Sequence, residues 1–139
     1  MKKAILTILI VSASLVLFNG CDLFGPQSVS PEERLSDFTN NLNSADRLST
    51  YTHIYPDVNI YKQIKTDTWW NAGVFTADYR DFLFTLSLSS ETGGVKIYKG
   101  TMTNKNGQQA AILKFREIDP GSNIWYISFI SLDGITWIY

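Results

Sequence analysis

Apolar residues recur at helical spacing directly after a strong helix start signal. The segment Ser-Pro-Glu-Glu at 30–33 supplies a capping serine, a proline suited to the first helical position and a glutamate that completes a capping box. The apolar positions that follow are three or four residues apart: Leu35, Phe38, Leu42 and Ala45. This spacing predicts an amphipathic helix that is interrupted at residues 43–44.

Two further helices are predicted before the chain changes its pattern. The second begins after the break and ends at Pro56, because the residue before a proline avoids the helical region. Its predicted apolar face holds three residues: Leu48, Tyr51 and Tyr55. Residues 57–66 read as irregular. A short third helix is predicted from a cap at Asp67 to a stop at Gly73, and it holds Trp69, Trp70 and Ala72.

The second half of the chain alternates between apolar and polar residues, which is the period of a half-buried strand. Short turns rich in Gly, Asn and Asp separate the alternating runs, and Asn106-Gly107 is a good hairpin turn. Connections this short predict an antiparallel meander. The predicted strands are Phe82–Ser89, Val95–Thr103, Ala111–Arg116, Ile124–Leu132 and Ile135–Tyr139. The fold class is therefore α+β, with N-terminal helices packed on a curved antiparallel meander of four to five strands.

The first twenty residues have the layout of a secretory signal. Two lysines, Lys2 and Lys3, precede an uncharged apolar run of fifteen residues from Ala4 to Phe18. That run is shorter than the roughly 20 residues a membrane-spanning helix requires. It favours export of the chain over a membrane-spanning anchor.

The end of this signal, Leu17-Phe18-Asn19-Gly20-Cys21, resembles the lipobox of bacterial lipoproteins. The resemblance implies cleavage before Cys21 and a diacylglyceryl group on its sulfur. The implied division is a signal peptide at 1–20, a lipidated tether at 21–29 and a domain at 30–139. The protein would then be held to a membrane of the cell envelope, facing the periplasm or the outside. An ordinary signal peptide with a chance cysteine, or an uncleaved anchor, is the alternative.

Charge and cysteine content narrow the range of functions. Residues 21–139 carry all 13 acidic residues and 10 of the 12 basic ones, a net charge of −3. This balance argues against a general nucleic-acid binder, which needs a basic face. Cys21 is the only cysteine, so the domain has no intramolecular disulfide and no thiol-based metal site.

The domain resembles the NTF2-like superfamily, an α+β cone. The resembling stretches are Phe38–Asp46, the exit Tyr55-Pro56-Asp57-Val58, and the aromatic strand Ile124–Ser128. The resemblance implies a concave pocket under the helices and pairing into a homodimer through the outer sheet face. Members of the superfamily include isomerases, dehydratases and many non-enzymes, so the resemblance leaves the activity open.

Catalytic candidates are few. His53, the sole histidine, reads either as a solvated or helix-end side chain or as a catalytic base. The segment Asp78-Tyr79-Arg80-Asp81 reads either as a polar loop or as a carboxylate and a tyrosine placed for proton abstraction. No His, Cys, Asp or Glu residues have the spacing of a metal site, so no metal or other cofactor is expected.

Aromatic residues are the most suggestive feature of the domain. Core packing explains most of them, but aromatic side chains also line ligand pockets and protein-binding surfaces. The predicted function is a non-catalytic module that binds an envelope protein or a small apolar ligand; a small proton-transfer enzyme and a purely structural envelope protein are the rival hypotheses. The candidate pocket residues are Trp69, Trp70, Tyr98, Trp125 and Trp137.

Overall fold

Two helices followed by a five-stranded antiparallel sheet form the part of the chain that the computed structural model describes, namely residues 28–57, 70 and 80–138. The strands are neighbours in chain order, which confirms the α+β class and the meander. The predicted third helix lies outside the described residues except for Trp70. The elements are α1 (Pro31–Asn43), α2 (Arg47–Tyr51), β1 (Leu83–Thr92), β2 (Val95–Asn104), β3 (Gly107–Glu117), β4 (Trp125–Leu132) and β5 (Ile135–Ile138).

Helix α1 begins and ends where the sequence predicts. The Ser30 hydroxyl accepts a hydrogen bond from the backbone N–H of Glu33 at 3.1 Å, which satisfies one of the free donors of the first turn. At the other end, the Asn43 side chain accepts from the N–H of Phe82 at 2.8 Å and donates to its carbonyl oxygen at 3.0 Å. Asn43 also accepts from the N–H of Asp81 at 3.2 Å, so one side chain ties the end of α1 to the start of β1.

The prediction that the second helix continues to Pro56 is wrong. Helix α2 ends at Tyr51, and Leu48, expected on its buried face, is 79% exposed. The backbone beyond α2 pairs with β4 instead: the N–H of Tyr55 donates to the Ile127 carbonyl oxygen at 2.8 Å, and the N–H of Ile127 donates to the His53 carbonyl oxygen at 2.9 Å.

No helix within the described ranges is long and apolar enough to cross a membrane.

A second short segment also extends the sheet beside the first half of β4. Val29 forms an isolated parallel bridge with Ile124. Its N–H donates to the Asn123 carbonyl oxygen at 2.9 Å, and its carbonyl oxygen accepts from the N–H of Trp125 at 3.1 Å. The start of the domain is therefore fixed to the sheet by backbone hydrogen bonds before α1 begins.

The sheet has an inner face, which α1 covers, and an outer face on the other side. Strand register places Phe84 opposite Met102, and Tyr98 opposite Leu113, on the inner face. The ring centres of Phe38 on α1 and Phe84 on β1 are 6.4 Å apart. Alternate residues point to opposite faces, so the core takes one parity of each strand. Fully buried members of the core are Phe38, Leu42, Met102, Leu113, Phe115, Ile127 and Ile130.

Strands β1 and β2 approach each other unusually closely at Gly100. A Cβ atom at this position would lie 2.0 Å from the carbonyl oxygen of Thr85 and 3.0 Å from the Cα of Leu86. Extra residues also interrupt the register in β1, at Ser89 between Leu88 and Ser90, and in β4, at Ser128 between Ile127 and Phe129. Such bulges bend a strand and increase its twist.

Candidate functional site

An open groove of about 380 Å³ runs between α1 and the inner face of the sheet. Its volume falls within the range of small-molecule sites, roughly 300–1,000 Å³. Apolar side chains form most of its surface. The residues that line it are Pro31, Glu32, Leu35, Ser36, Thr39, Asn40, Leu83, Phe84, Leu86, Tyr98 and Phe115.

The periodicities of α1 and β1 explain why the groove is apolar. Leu35 and Thr39 are four residues apart and lie on one side of α1, while Phe84 and Leu86 are two residues apart on the inner face of β1. The Thr39 hydroxyl donates to the Leu35 carbonyl oxygen at 2.7 Å, so its polar group is satisfied within the helix. Phe115, which is fully buried, contributes to the lining from β3.

A carboxylate marks one end of the groove. The Tyr98 hydroxyl on β2 donates a hydrogen bond to the side chain of Glu32 in the first turn of α1. This hydrogen bond is the main reason that the pKa of Glu32 lies below its usual value, and the positive charge of Lys96 also lowers it. Burial and the Glu32 carboxylate raise the pKa of Tyr98. At neutral pH the groove therefore ends in an ionised carboxylate and a protonated phenol.

A smaller depression of about 260 Å³ adjoins the groove and shares Pro31 and Glu32 with it. Trp125 contributes to its lining, but a cation already covers this ring: Lys96 Nζ lies 4.6 Å from the ring centre. The same ammonium group is 3.7 Å from a Glu91 carboxylate oxygen. The aromatic ring and the cation in this depression already have partners within the protein. The larger groove is therefore the better candidate for a ligand site.

The predicted aromatic pocket is only partly assembled. Tyr98 lines the groove and Trp125 lines the adjoining depression. Trp70 is instead buried in the core, edge-on to Tyr51 with ring centres 6.2 Å apart. Trp69 and the side chain of Trp137 lie outside the described residues.

Sequence reasoning missed most of the residues that line the groove. The sequence identifies Leu35 and Leu86 only as apolar positions of a helix and a strand, and Glu32 only as part of a helix start. The apolar pattern already placed Leu35 and Leu86 on faces that meet. The contact between Glu32 and Tyr98 joins residues 66 positions apart, and no local pattern predicts it.

The expectation of a solvated His53 is wrong, although the residue does follow the end of α2. His53 is only 6% exposed. Its Nδ1 lies 3.3 Å from Nη1 of Arg34, and its Nε2 lies 2.8 Å from the side-chain amide of Asn41. Because a guanidinium can only donate, Nδ1 accepts from Arg34, and the neutral ring carries its proton on Nε2. An Nε2–H can donate only to an acceptor, so this tautomer requires the Asn41 amide to present its oxygen rather than Nδ2 to the ring. His53 is thus a neutral member of a buried polar cluster.

Arg34 joins this cluster to the sheet. Its Nε donates to the Trp125 carbonyl oxygen at 2.7 Å, and its Cζ lies 4.2 Å above the ring centre of Tyr126. Burial lowers the pKa of His53 and the Arg34 charge lowers it further, while Asp37 opposes both effects. The cluster holds α1, the segment after α2 and β4 together. His53 is not among the residues that line the groove, so the position gives no support to a catalytic base there.

The acidic candidate Asp81 faces solvent. Its side chain is 77% exposed and lies 3.5 Å from Lys105 Nζ. Asp78 and Tyr79 lie outside the described residues. Among the residues that the structure describes, no three His, Cys, Asp or Glu side chains are grouped so that they could hold a metal ion.

Comparison with known proteins adds no further indication of function. No protein-family model, curated protein or solved structure matches the chain. The features of the chain that bear on function are therefore the groove, the charge distribution and the N-terminal sequence.

Proposed function

We propose that the protein is an envelope lipoprotein, anchored to a membrane through lipid on Cys21, whose domain binds a small apolar ligand without catalysis. The observation that carries the binding role is the apolar groove between α1 and β1. The anchor is supported by the signal-like residues 1–20 and by the lipobox-like sequence that ends at Cys21. In this arrangement the lipid holds the domain at the membrane and the groove receives the ligand.

The composition of the groove indicates the kind of ligand. Phe84 and Leu86 are only half-buried, so a bound apolar body would remove the rest of their side chains from water. Such burial contributes about 25 cal/mol for each Å² of apolar surface. The ionised Glu32 at one end favours a ligand with a cationic or hydrogen-bond-donating end group. The ligand class is therefore a small amphiphile with an apolar body and a donor at one end.

The fold we propose for the domain is the NTF2-like cone. Two helices that precede a five-stranded meander support this proposal, as does a groove on the face that α1 covers. The bulges in β1 and β4 supply the strand bending that a cone requires.

The groove is poorly suited to proton transfer, the rival function. Glu32, with a pKa below its usual value, is a weak base. Tyr98, with a pKa above its usual value, is a weak acid at neutral pH. His53 is not part of the lining, and Asp81 faces solvent. These features favour binding over catalysis.

Replacing Cys21 with alanine tests the anchor. We expect the wild-type chain to fractionate with membranes and to carry a mass increase on its N-terminal peptide, and the Cys21→Ala chain to lose both. The reason is that each buried methylene of an acyl chain adds about 0.8 kcal/mol to membrane binding. Ser28→Ala is the matched control and should behave like wild type. A Cys21→Ala chain that stays in the membrane with residues 1–20 uncut would show an uncleaved anchor instead.

Filling the groove tests the binding role. We expect native mass spectrometry of the full chain, extracted from its own cells in mild detergent, to show a bound mass that denaturation removes. Ser36 is exposed on α1 and lines the groove, so Ser36→Trp should occupy the ligand's space and abolish that mass.

Ser87→Trp provides the matched control for this experiment. Ser87 is an exposed serine on the outer face of β1, so the same substitution there should leave the bound mass unchanged. A wild-type chain without any bound mass, or a Ser36→Trp chain that keeps it, would contradict the proposed ligand site.

A further inference from the structure

The outer face of the sheet carries three basic side chains close together. Register places Lys99 opposite Ile112, and Lys114 and Arg116 opposite Ile97 and Val95. Lys99 and Lys114 are therefore diagonal neighbours, roughly 7–8 Å apart on adjacent strands. Lys114 and Arg116 follow each other at a spacing of about 7 Å on the same strand.

No acidic side chain balances these charges within the described strands. None of the outer-face positions of β1–β5 is Asp or Glu. Lys114 Nζ lies 4.6 Å from the ring centre of Phe129, and the Arg116 Cζ lies 4.8 Å from that of Tyr55. Among the described residues, the ion pairs Lys96–Glu91 and Lys105–Asp81 lie on the inner face and in the β2–β3 turn region.

Helix α1, on the other side of the sheet, carries a net negative charge. Helix α1 exposes Glu32, Glu33 and Asp37. Its one basic residue, Arg34, is buried against Tyr126. The domain is therefore polarised, with an acidic helix α1 on one side of the sheet and a basic sheet face on the other.

We propose that the outer sheet face, centred on Lys99, Lys114 and Arg116, docks on the anionic phospholipid headgroups of the membrane that holds the protein. This proposal rests on the membrane anchor proposed above and names the surface that the anchor brings into contact. Ile112 lies beside these cations and is 36% exposed, which suits the boundary between headgroups and acyl chains. In this orientation α1 and the groove face away from the membrane, where a ligand can reach them.

Charge complementarity favours a membrane over a second copy of the chain. In a two-fold dimer the same patch meets itself, so Lys99, Lys114 and Arg116 of one copy would face the same cations of the other. Like charges brought together in this way are destabilising. An anionic lipid surface, in contrast, attracts each basic side chain by a factor of about five in affinity.

Lysine footprinting of the full chain tests the proposal. The chain is reconstituted into vesicles of phosphatidylcholine alone or of phosphatidylcholine with an equal part of phosphatidylglycerol, and is acetylated with a membrane-impermeant reagent. We expect Lys99 and Lys114 to react at least about fivefold more slowly on the anionic vesicles. High salt should remove this protection by screening. Lys96 and Lys105, which lie off the face, should react equally on both vesicles.

Two variants test whether the protection of the lysines depends on the charge of the outer face. Arg116→Gln removes one charge from the face and should reduce the protection of Lys99 and Lys114 by about fivefold. Lys105→Gln removes one charge elsewhere and should leave the protection unchanged. Both positions are exposed, although Arg116→Gln also removes the contact between the guanidinium and the Tyr55 ring.

The outcomes separate docking from anchoring. A chain that floats with neutral vesicles but shows equal labelling on both would overturn the docking and leave the anchor intact. A chain that floats only with anionic vesicles would support the docking and contradict the anchor. A chain that floats with neither would overturn both. Protection on both vesicle types that grows with protein density would show a second copy on this face, which also overturns the proposal.

Discussion

Gly100→Ala is expected to destabilise the domain by about 3 kcal/mol or more, at or beyond the upper end of the usual cost of over-packing. The added Cβ would lie 2.0 Å from the Thr85 carbonyl oxygen, a backbone atom that cannot rotate away. This clash can be relieved only if β1 and β2 separate beside Leu86, which lines the groove. Urea unfolding followed by tryptophan fluorescence should show a lower midpoint.

Gly93→Ala provides the matched control. Gly93 has a φ of +57°, and a Cβ there would meet nothing within 4 Å. Its substitution should cost about 1–2 kcal/mol, because the left-handed conformation alone is penalised. If Gly100→Ala proves no more destabilising than Gly93→Ala, the close approach of the two strands is not a requirement of the fold.

Arg34→Met is expected to destabilise the domain by about 3 kcal/mol at neutral pH, the usual range for breaking a buried polar network. Methionine keeps much of the side-chain volume but leaves the Trp125 carbonyl oxygen and His53 Nδ1 without their donor. Thermal unfolding should report the loss. Glu33→Met, an exposed substitution on the same helix, should have a much smaller effect. A negligible loss in Arg34→Met would show that the cluster does not hold α1 to β4.

The same cluster gives the wild-type protein a defined sensitivity to acid. The pKa of His53 is lower in the folded state than its ordinary value of 6.5, so the unfolded state binds more protons as the pH falls through this value. The free energy of unfolding should therefore decrease below about pH 6.5 and level off once folded His53 is also protonated. His53→Gln cannot titrate and should flatten this part of the profile, whereas Arg34→Met should only weaken it. An unchanged profile in His53→Gln would assign the acid sensitivity to other groups.

Local signals explain what the sequence could predict. The capping box at Ser30 and the alternation in β1 and β3 each act within a few residues, so α1 and the strand faces were predicted correctly. The end of α2 depends instead on Ile127, whose backbone pairs with His53 and Tyr55 more than seventy positions away. Long-range backbone pairing of this kind overrides local helix propensity.

The candidate site shows the same division. The apolar positions of α1 and β1 were predicted, but their meeting at a groove depends on how the two layers pack. The sequence alone does not reveal that His53 is buried, because its partners Arg34 and Asn41 lie on α1, outside its own segment of the chain. The basic outer face needed the strand register, which places Lys99 beside Lys114.

Backbone hydrogen bonds hold Val29 beside the start of β4, and this affects how tightly the outer face would need to bind the membrane. Seven residues lie between Cys21 and Val29, and the eight steps from one to the other span at most roughly 29 Å. With the proposed lipid on Cys21, a tether this short would give the domain an effective concentration at its own membrane on the order of millimolar. Contacts between the outer face and the headgroups that are too weak to bring an untethered protein to the membrane would then be enough to keep the domain docked. In the proposed arrangement the tether would keep the domain at the membrane, and the outer face would need only to orient it.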